Sequence, residues 1–578
     1  MRSNLSNPTT RIVLAKRYVS FKFLNPFDFQ FMNHPRTKNS FYFISCIFFL
    51  LAILHFAAPL QSAEIQEKPL SLRECVEIAI KDNLQLQVQS YNPRLALLFA
   101  DSQIGGLYDP IFSLNYGDRE LENPSGSLIP GTVTPIPAFI QESEDYSAQL
   151  NGRVITGTRY SFSGNYSTRD SWEESNDQII RSNYGGNFGL TLTQPLLKNG
   201  WNIDGRRTVK VNKLAVSQSL LRLEWVIAGV LLDVERTYLN LISDLERVSV
   251  QVKAVELAER LLLENKKRVE IGTMAPLDEK QAEAQLASTK AALLGQRSQL
   301  VQTQTRLKNL LSKDYSDWWN VNLVPTEPLV ATPLLVDLQT SWANGLELRP
   351  DLEDQRLTLE IAGIDLKYAK NQLLPQLDLS STWRSSAAGT GLRTPVLREG
   401  FNNSFDDISS ALSDWDSPFW GVNVTLSTPL TLMRERAQYR RQKAANSQSQ
   451  VILKQNEQNI MVDIENAVTA VQISFQQVSA TRQEREFAEA ALGAEEKKLE
   501  VGKSTSFIVL QLQRDLTTAR SNEINALTSY NLNIANLAYL EGRTLDRFDL
   551  EMDASAVDKE DSDDNADVNP LLLPYISN

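Results

Sequence analysis

Two histidines and two cysteines are all that this chain of 578 residues contains. Their places matter more than their number. His34, Cys46 and His55 lie near the N-terminus, in or beside a run that reads as an export signal. Beyond that run stand no histidine and a single cysteine, Cys75. Once that run is removed, a histidine-based triad, a histidine-ligated metal and a Cys/His dyad are excluded, as is an intrachain disulfide. No catalytic residue, cofactor or metal is expected, and the chain does not read as an enzyme.

A basic stripe is lacking too. The net charge is −12, which argues against nucleic acid as a partner. With 42% hydrophobic and 22% charged residues, this is nonetheless an ordered protein of two or more domain-sized units. Proline is missing from 196–275 and from 430–569, so no proline breaks a helix there. The long apolar run "FYFISCIFFLLAILHFAAP" follows Arg36 and Lys38 and ends before "LQSA" and Glu64. It reads as a signal cleaved near Glu64, and residues 1–63 are assigned to it. Met32 as the true start would leave a conventional short basic region. The alternative is a membrane anchor, since Phe41 to Ala58 is just long enough to span a bilayer. At the other end "EMDASAVDKEDSDDNADVNP" places a solvated acidic tail within 546–578.

The chain repeats itself. "VLLDVERTYLNL" (Val230 to Leu241) resembles "IMVDIENAVTAV" (Ile460 to Val471), with Asp233 on Asp463 and Glu235 on Glu465. The same shift of 230 pairs Gly272 with Gly502 and Leu286 with Leu516. Earlier, "LTLTQPLL" answers "VTLSTPLT", and "GLYDPIFSLNYG" answers "QLLPQLDLSSTW". Each unit therefore has one order: a helix (roughly Ser71 to Ile104, or Trp342 to Gln372), a proline (Pro110 or Pro375), strands, a second proline (Pro195 or Pro429), a very long helix, and a return helix. The boundaries are 64–312 for the first unit, with strands within 111–195 and a helical hairpin at 201–312. A linker covers 313–341. The second unit covers 342–545, with strands within 377–429 and a hairpin at 431–545.

Both long helices carry a heptad. Ile227, Val234, Leu241, Val248, Val255, Leu262 and Val269 are apolar and seven apart; Ile464, Val471, Val478, Leu492 and Leu499 follow suit, interrupted at Arg485. Such a repeat means coiled-coil packing. The strand segments alternate instead. Phe112, Leu114 and Tyr116 oppose Ser113 and Asn115; Phe188, Leu190 and Leu192 oppose Gly189, Thr191 and Thr193; Trp420, Val422, Val424 and Leu426 oppose Gly421, Asn423 and Thr425. Apolar-out, polar-in strands with aromatic ends are the pattern of an outer-membrane barrel. A soluble sandwich with one wet face is the alternative. The first strand segment holds four strands, with "VITGT" (Val154 to Thr158) as a tight turn, and the second holds two.

On "LSLRECVEIAIKDN", "LTQPLL", "VGKSTSFIVLQLQ" and the tandem repeat, the sequence resembles the TolC family of outer-membrane channels. That resemblance covers Leu70 to Arg547. It implies an α+β membrane protein: a trimeric outer-membrane β-barrel continued by a long periplasmic α-helical coiled-coil barrel, with two repeats per chain. It also implies a passive export duct of a tripartite efflux or type I secretion system, with a periplasmic adaptor, an inner-membrane transporter and outer-membrane lipid as partners. A structural envelope coiled coil without a pore is the competing function. The family norm is four strands per subunit and a 12-strand barrel; six would close 18. The expectation here is four, with the extra pair as decoration.

Two glycines inside helical sequence mark the places where the long helices turn back. Gly272 and Gly502 supply the left-handed conformation that ends a helix, and Pro276 suits the first turn of the next. The resemblance makes these turns the tips where an adaptor docks and the channel gates. Ile271, Gly272 and Thr273, with Val501, Gly502 and Lys503, are the docking candidates. Asp278 matches an acidic tip position of the family. The second-repeat counterparts hold Ile508 and Gln511, which departs from the family's acidic ring at that place. Asp278 and Lys503 are close enough to the two turns to approach each other if the tips sit side by side.

Overall fold

A computed structural model of the protein describes residues 66–123, 139–173, 176–393, 405–552 and 576–577. The signal run, with His34, Cys46, His55 and the cleavage site, lies outside the described residues, as does most of the acidic tail.

Short strand β1 (Gln66–Leu70) leads into helix α1 (Leu72–Asp82), which starts with a capping box: Glu74 N–H donates to Ser71 Oγ, and Ser71 N–H donates to Glu74 Oε2 at 2.8 Å. Helix α2 (Leu84–Tyr108) follows. The single helix expected here is thus two. Asn83 takes an extended conformation, accepts from Leu86 N–H and donates from Nδ2 to the Leu310 carbonyl at 2.9 Å. Its side chain competes with the helix ladder and wins. The second repeat breaks likewise, into α5 (Leu338–Glu347) and α6 (Pro350–Asn371), because Arg349 precedes a proline and turns extended.

The long helices are α3 (Ile203–Glu270) and α8 (Met433–Glu500), each 68 residues and so about 100 Å long. They return as α4 (Pro276–Leu311) and α9 (Ser506–Leu540). Heptad positions Ile227, Val234, Leu241, Ile464, Val471, Val478, Leu492 and Leu499 are buried. Where Arg485 interrupts, its guanidinium pairs with Glu523 on α9 at 2.5 Å and with Glu489 at 3.2 Å. Among the described residues α3 alone is long and apolar enough to cross a bilayer. Its Ile227, Leu231 and Val234 instead fill a core with Val76, Ile80 and Leu86 of α1 and α2, closed by β1, which pairs in parallel with β6 (Val321–Pro325).

The C-terminal segment joins this core. Short helix α10 (Thr544–Arg547) is followed by Phe548 and Leu550, which pack into it. Residues 546–552 therefore belong to the folded body. At the end of that segment, Glu551–Met552 (β9) pairs with Ile576–Ser577 (β10).

One antiparallel sheet holds the six remaining strands in the order β2 (Ile111–Asn123), β3 (Phe139–Arg153), β4 (Arg159–Glu173), β5 (Asn176–Pro195), β7 (Gln376–Arg393) and β8 (Pro418–Ser427). The sheet thus has six strands where four with a decorative pair were expected: β3 and β4 are hydrogen-bonded members between β2 and β5. A helix absent from the sequence reading, α7 (Phe405–Ser413), lies between β7 and β8 in sequence. Its Ile408 and Leu412 cover Gly186, where a Cβ would come within 3.0 Å of Ile408.

Candidate functional site

Side-chain alternation sorts the sheet into two faces. Phe112, Leu150, Phe162, Leu190, Trp383 and Trp420 stand in one cross-strand row through all six strands. Above it, Tyr116, Tyr146 and Tyr166 form a ladder with ring centroids 5.0 and 6.2 Å apart. The opposite face is polar: Asn151, Ser161, Thr191 and Thr382 share a row, and the Thr191 and Thr382 hydroxyls are 3.3 Å apart. Phe112, Leu114, Trp420, Val422 and Leu426 are all exposed. An exposed apolar face of this extent marks a surface for membrane or protein contact, and its alternation with a polar face is the pattern of an outer-membrane barrel.

At the other end of the long helices the two turns are built alike. Gly272 has φ 76° and Gly502 φ 75°. In the first, Gly272 N–H donates to Val269 carbonyl at 3.0 Å and Thr273 N–H to Arg268 carbonyl at 2.9 Å. In the second, Gly502 N–H donates to Leu499 carbonyl at 3.1 Å and Lys503 N–H to Lys498 carbonyl at 2.8 Å. Both are Schellman ends. A Cβ on either glycine would meet nothing within 4 Å, so the left-handed φ alone demands glycine. Pro276 is the first residue of α4, as its fixed φ favours.

The two tips are joined. Leu261 of α3 packs with Leu492, Leu499, Val509, Leu510 and Leu516 of the second hairpin. Asn265 donates to Ser506 Oγ at 3.2 Å, both residues being buried, and Arg268 donates to the Leu499 carbonyl at 3.3 Å. Nothing in the sequence singles out Asn265, Arg268 or Ser506; only the packing of one hairpin on the other does. Ile271 is 73% exposed and Val501 68%. Leu277 and Phe507, which the 230-residue shift also pairs, add exposed apolar surface beside them. Ile508 and Gln511 are exposed as well.

Asp278 sits half-buried in the first turn of α4 next to Glu279. Neither Asp278 nor Lys503 has an ion-pair partner among the described residues, so the approach of one to the other is not made within a chain. The charged contacts at the tips are others. Lys280 and Glu283 are 2.8 Å apart, and Lys266 lies 3.5 Å from Glu283. Hydrogen bonding from Lys280 holds the Glu283 carboxyl below its ordinary range. Lys498, then Ser504, do the same for Glu495. Lowered carboxyls keep these contacts through neutral pH and lose them only as pH falls through the lowered values. Among the described residues no group of three His, Cys, Asp or Glu converges as a metal site.

Outer membrane efflux proteins match the chain over residues 160–313 and 344–543, more than half of its length. The chain belongs to the outer membrane efflux protein family. No curated protein matches it in sequence at a significant level. Solved structures match its fold. The outer-membrane channel OprN is 17% identical, with 82% of this chain and 89% of that one covered at a TM-score of 0.60. The CmeC outer membrane channel of Campylobacter jejuni is 15% identical, covering 86% and 90% at 0.60. The outer membrane protein VceC of Vibrio cholerae is 16% identical, covering 82% and 96% at 0.57. This efflux-family chain is thus an outer-membrane protein that extends into the periplasm, with the TolC-like fold of two tandem repeats.

Proposed function

We propose that the chain is the outer-membrane duct of a tripartite export system: a homotrimer whose sheets close a barrel and whose long helices form a periplasmic passage. The observation that carries this is the joining, in one body, of a sheet with an apolar exposed face and a polar face to helices about 100 Å long that end in paired glycine turns. Helices about 100 Å long beneath a membrane-facing sheet reach from the outer membrane deep into the periplasm. The exposed apolar tips, Ile271 and Val501 with Leu277 and Phe507, suit docking of a periplasmic adaptor, which in turn engages an inner-membrane transporter. Thr273 and Lys503 complete the turns. The competing function, an envelope coiled coil without a pore, predicts a silent membrane. The purified protein in a planar bilayer should show discrete conductance steps; none across a range of voltage would leave the coiled-coil function standing.

Gating is assigned to the same end. With no ion-pair partner among the described residues, Asp278 is placed to meet a neighbouring copy, as are the exposed Ile508 and Gln511 in the second repeat. An exposed pair contributes only about 0.2–1 kcal/mol, yet a gate between nearly balanced states responds to that much. Asp278→Ala is expected to raise open probability and leave thermal melting nearly unchanged. Unchanged conductance with lowered stability would make Asp278 merely an acid that favours the helix N-terminus.

A further inference from the structure

Six strands stand over four helices in this chain. Strand β2 is entered from α2, β5 leaves toward α3, β7 is entered from α6, and β8 leaves toward α8. Those helices lie side by side in the same order, α2 on α3, α3 on α6 and α6 on α8. Neither strand of the pair β3 and β4 runs on into a helix. The pair's lower turn is closed by Val154 N–H donating to Thr158 carbonyl at 2.9 Å, with Gly157 at φ 90°. That turn rests on the start of α3, where Asn202 donates from Nδ2 to the Ile155 carbonyl at 3.0 Å.

The outer edges of β2 and β8 have no strand partner among the described residues. Hydrocarbon does not tolerate an open sheet edge, because its N–H and C=O groups find no water there. The helical layer is open at the same two flanks. On α2, Leu84, Val88, Leu95 and Phe99 are exposed along one stripe, with Asp101 exposed near its end. On α8, Arg434, Glu435, Gln438 and Gln442 line the gap toward α3 and α6. Arg436 and Arg440 therefore lie on the far side of that helix, exposed and with no ion pair among the described residues.

We propose that copies of this chain close head to tail, β8 of one against β2 of the next, into a trimer barrel of eighteen strands, in which the β3–β4 hairpin widens the outer mouth to match the helical passage. The proposal rests on the trimeric duct above. Four helices about 9 Å apart occupy about 36 Å of circumference. Six strands about 4.8 Å apart and tilted about 40° occupy about 38 Å, whereas four occupy about 25 Å. Six strands thus cap the helices without a taper. Barrel diameter grows about linearly with strand number, so the mouth is about 1.5 times as wide as that of a 12-strand barrel of equal tilt. The barrel then sets no tighter size limit than the helices beneath it, and bulky solutes that clear the helical passage also clear the outer membrane.

Electron cryomicroscopy of the full-length trimer counts the strands. Eighteen are expected; twelve, with β3–β4 outside the ring, overturn the proposal. Mouth width is read separately, by adding polyethylene glycols of rising size to the outer side of channels in a planar bilayer. Excising residues 139–173 joins β2 to β5 with their apolar faces still aligned, since Phe112 and Leu190 share one row. The shortened trimer should exclude polymers that the full-length trimer admits, and equal exclusion would overturn the widening. If nothing conducts, the duct reading fails, while the imaged strand count still decides closure.

Discussion

Arginine at Leu190 should keep the protein out of the outer membrane, while arginine at the next position, Thr191, should not. Leu190 lies in the apolar row between Phe162 and Trp383. It stands five residues before the strand end at Pro195, which is about 13 Å up a tilted strand. That depth is near the middle of a hydrocarbon band about 25 Å tall, where a lipid-facing arginine costs about 2–4 kcal/mol. Thr191 faces Thr382 on the polar side, where Arg384 is already accommodated. Its arginine variant should assemble at near-normal yield and shift ion selectivity toward anions. Outer-membrane fractionation with heat-modifiable gel mobility reads both variants. Assembly of Leu190→Arg together with failure of Thr191→Arg would reverse the two faces.

Arg547→Ala is expected to cost about 3 kcal/mol, a large share of the stability of any single domain. Glu235, 4% exposed, is held by Arg547 through two hydrogen bonds, at 3.0 and 3.2 Å. Burial raises the Glu235 carboxyl above its ordinary range in spite of the arginine, and without the arginine it rises further. A carboxyl raised in the folded state binds more protons than in the unfolded state, so the variant should gain stability as pH falls through that raised value. Glu235→Gln in the Arg547→Ala background should recover much of the loss by removing the stranded charge. A double-mutant cycle of melting temperatures checks this; a loss below 1 kcal/mol would mean that α10 is not clamped through this pair.

Much of this efflux-family architecture is local and therefore legible. The heptads from Ile227 and Ile464 specify long packed helices because burial follows helical periodicity. Gly272 and Gly502 mark the turns because their left-handed φ is strained for other residues. The alternation in "IFSLNYG" and "WGVNVTLST" separates lipid face from polar face because successive side chains on a strand point opposite ways. The repeat at a shift of 230 carries all of this from one half to the other.

What the tertiary structure decided is pairing between distant parts. That β3 and β4 join the sheet rather than decorate it depends on register with β2 and β5, and that β5 meets β7 depends on strands about two hundred residues apart. Neither shows in local periodicity, since a strand's alternation is the same whatever its neighbour. Asn83 breaks the first helix because Leu310, far along the chain, offers a carbonyl to its side chain. The seam between the tips, Arg268 on the Leu499 carbonyl and Asn265 on Ser506, exists only once the two hairpins lie against each other. Glu235 reads as one more polar residue in a helix until the fold buries it and brings Arg547 across to meet it.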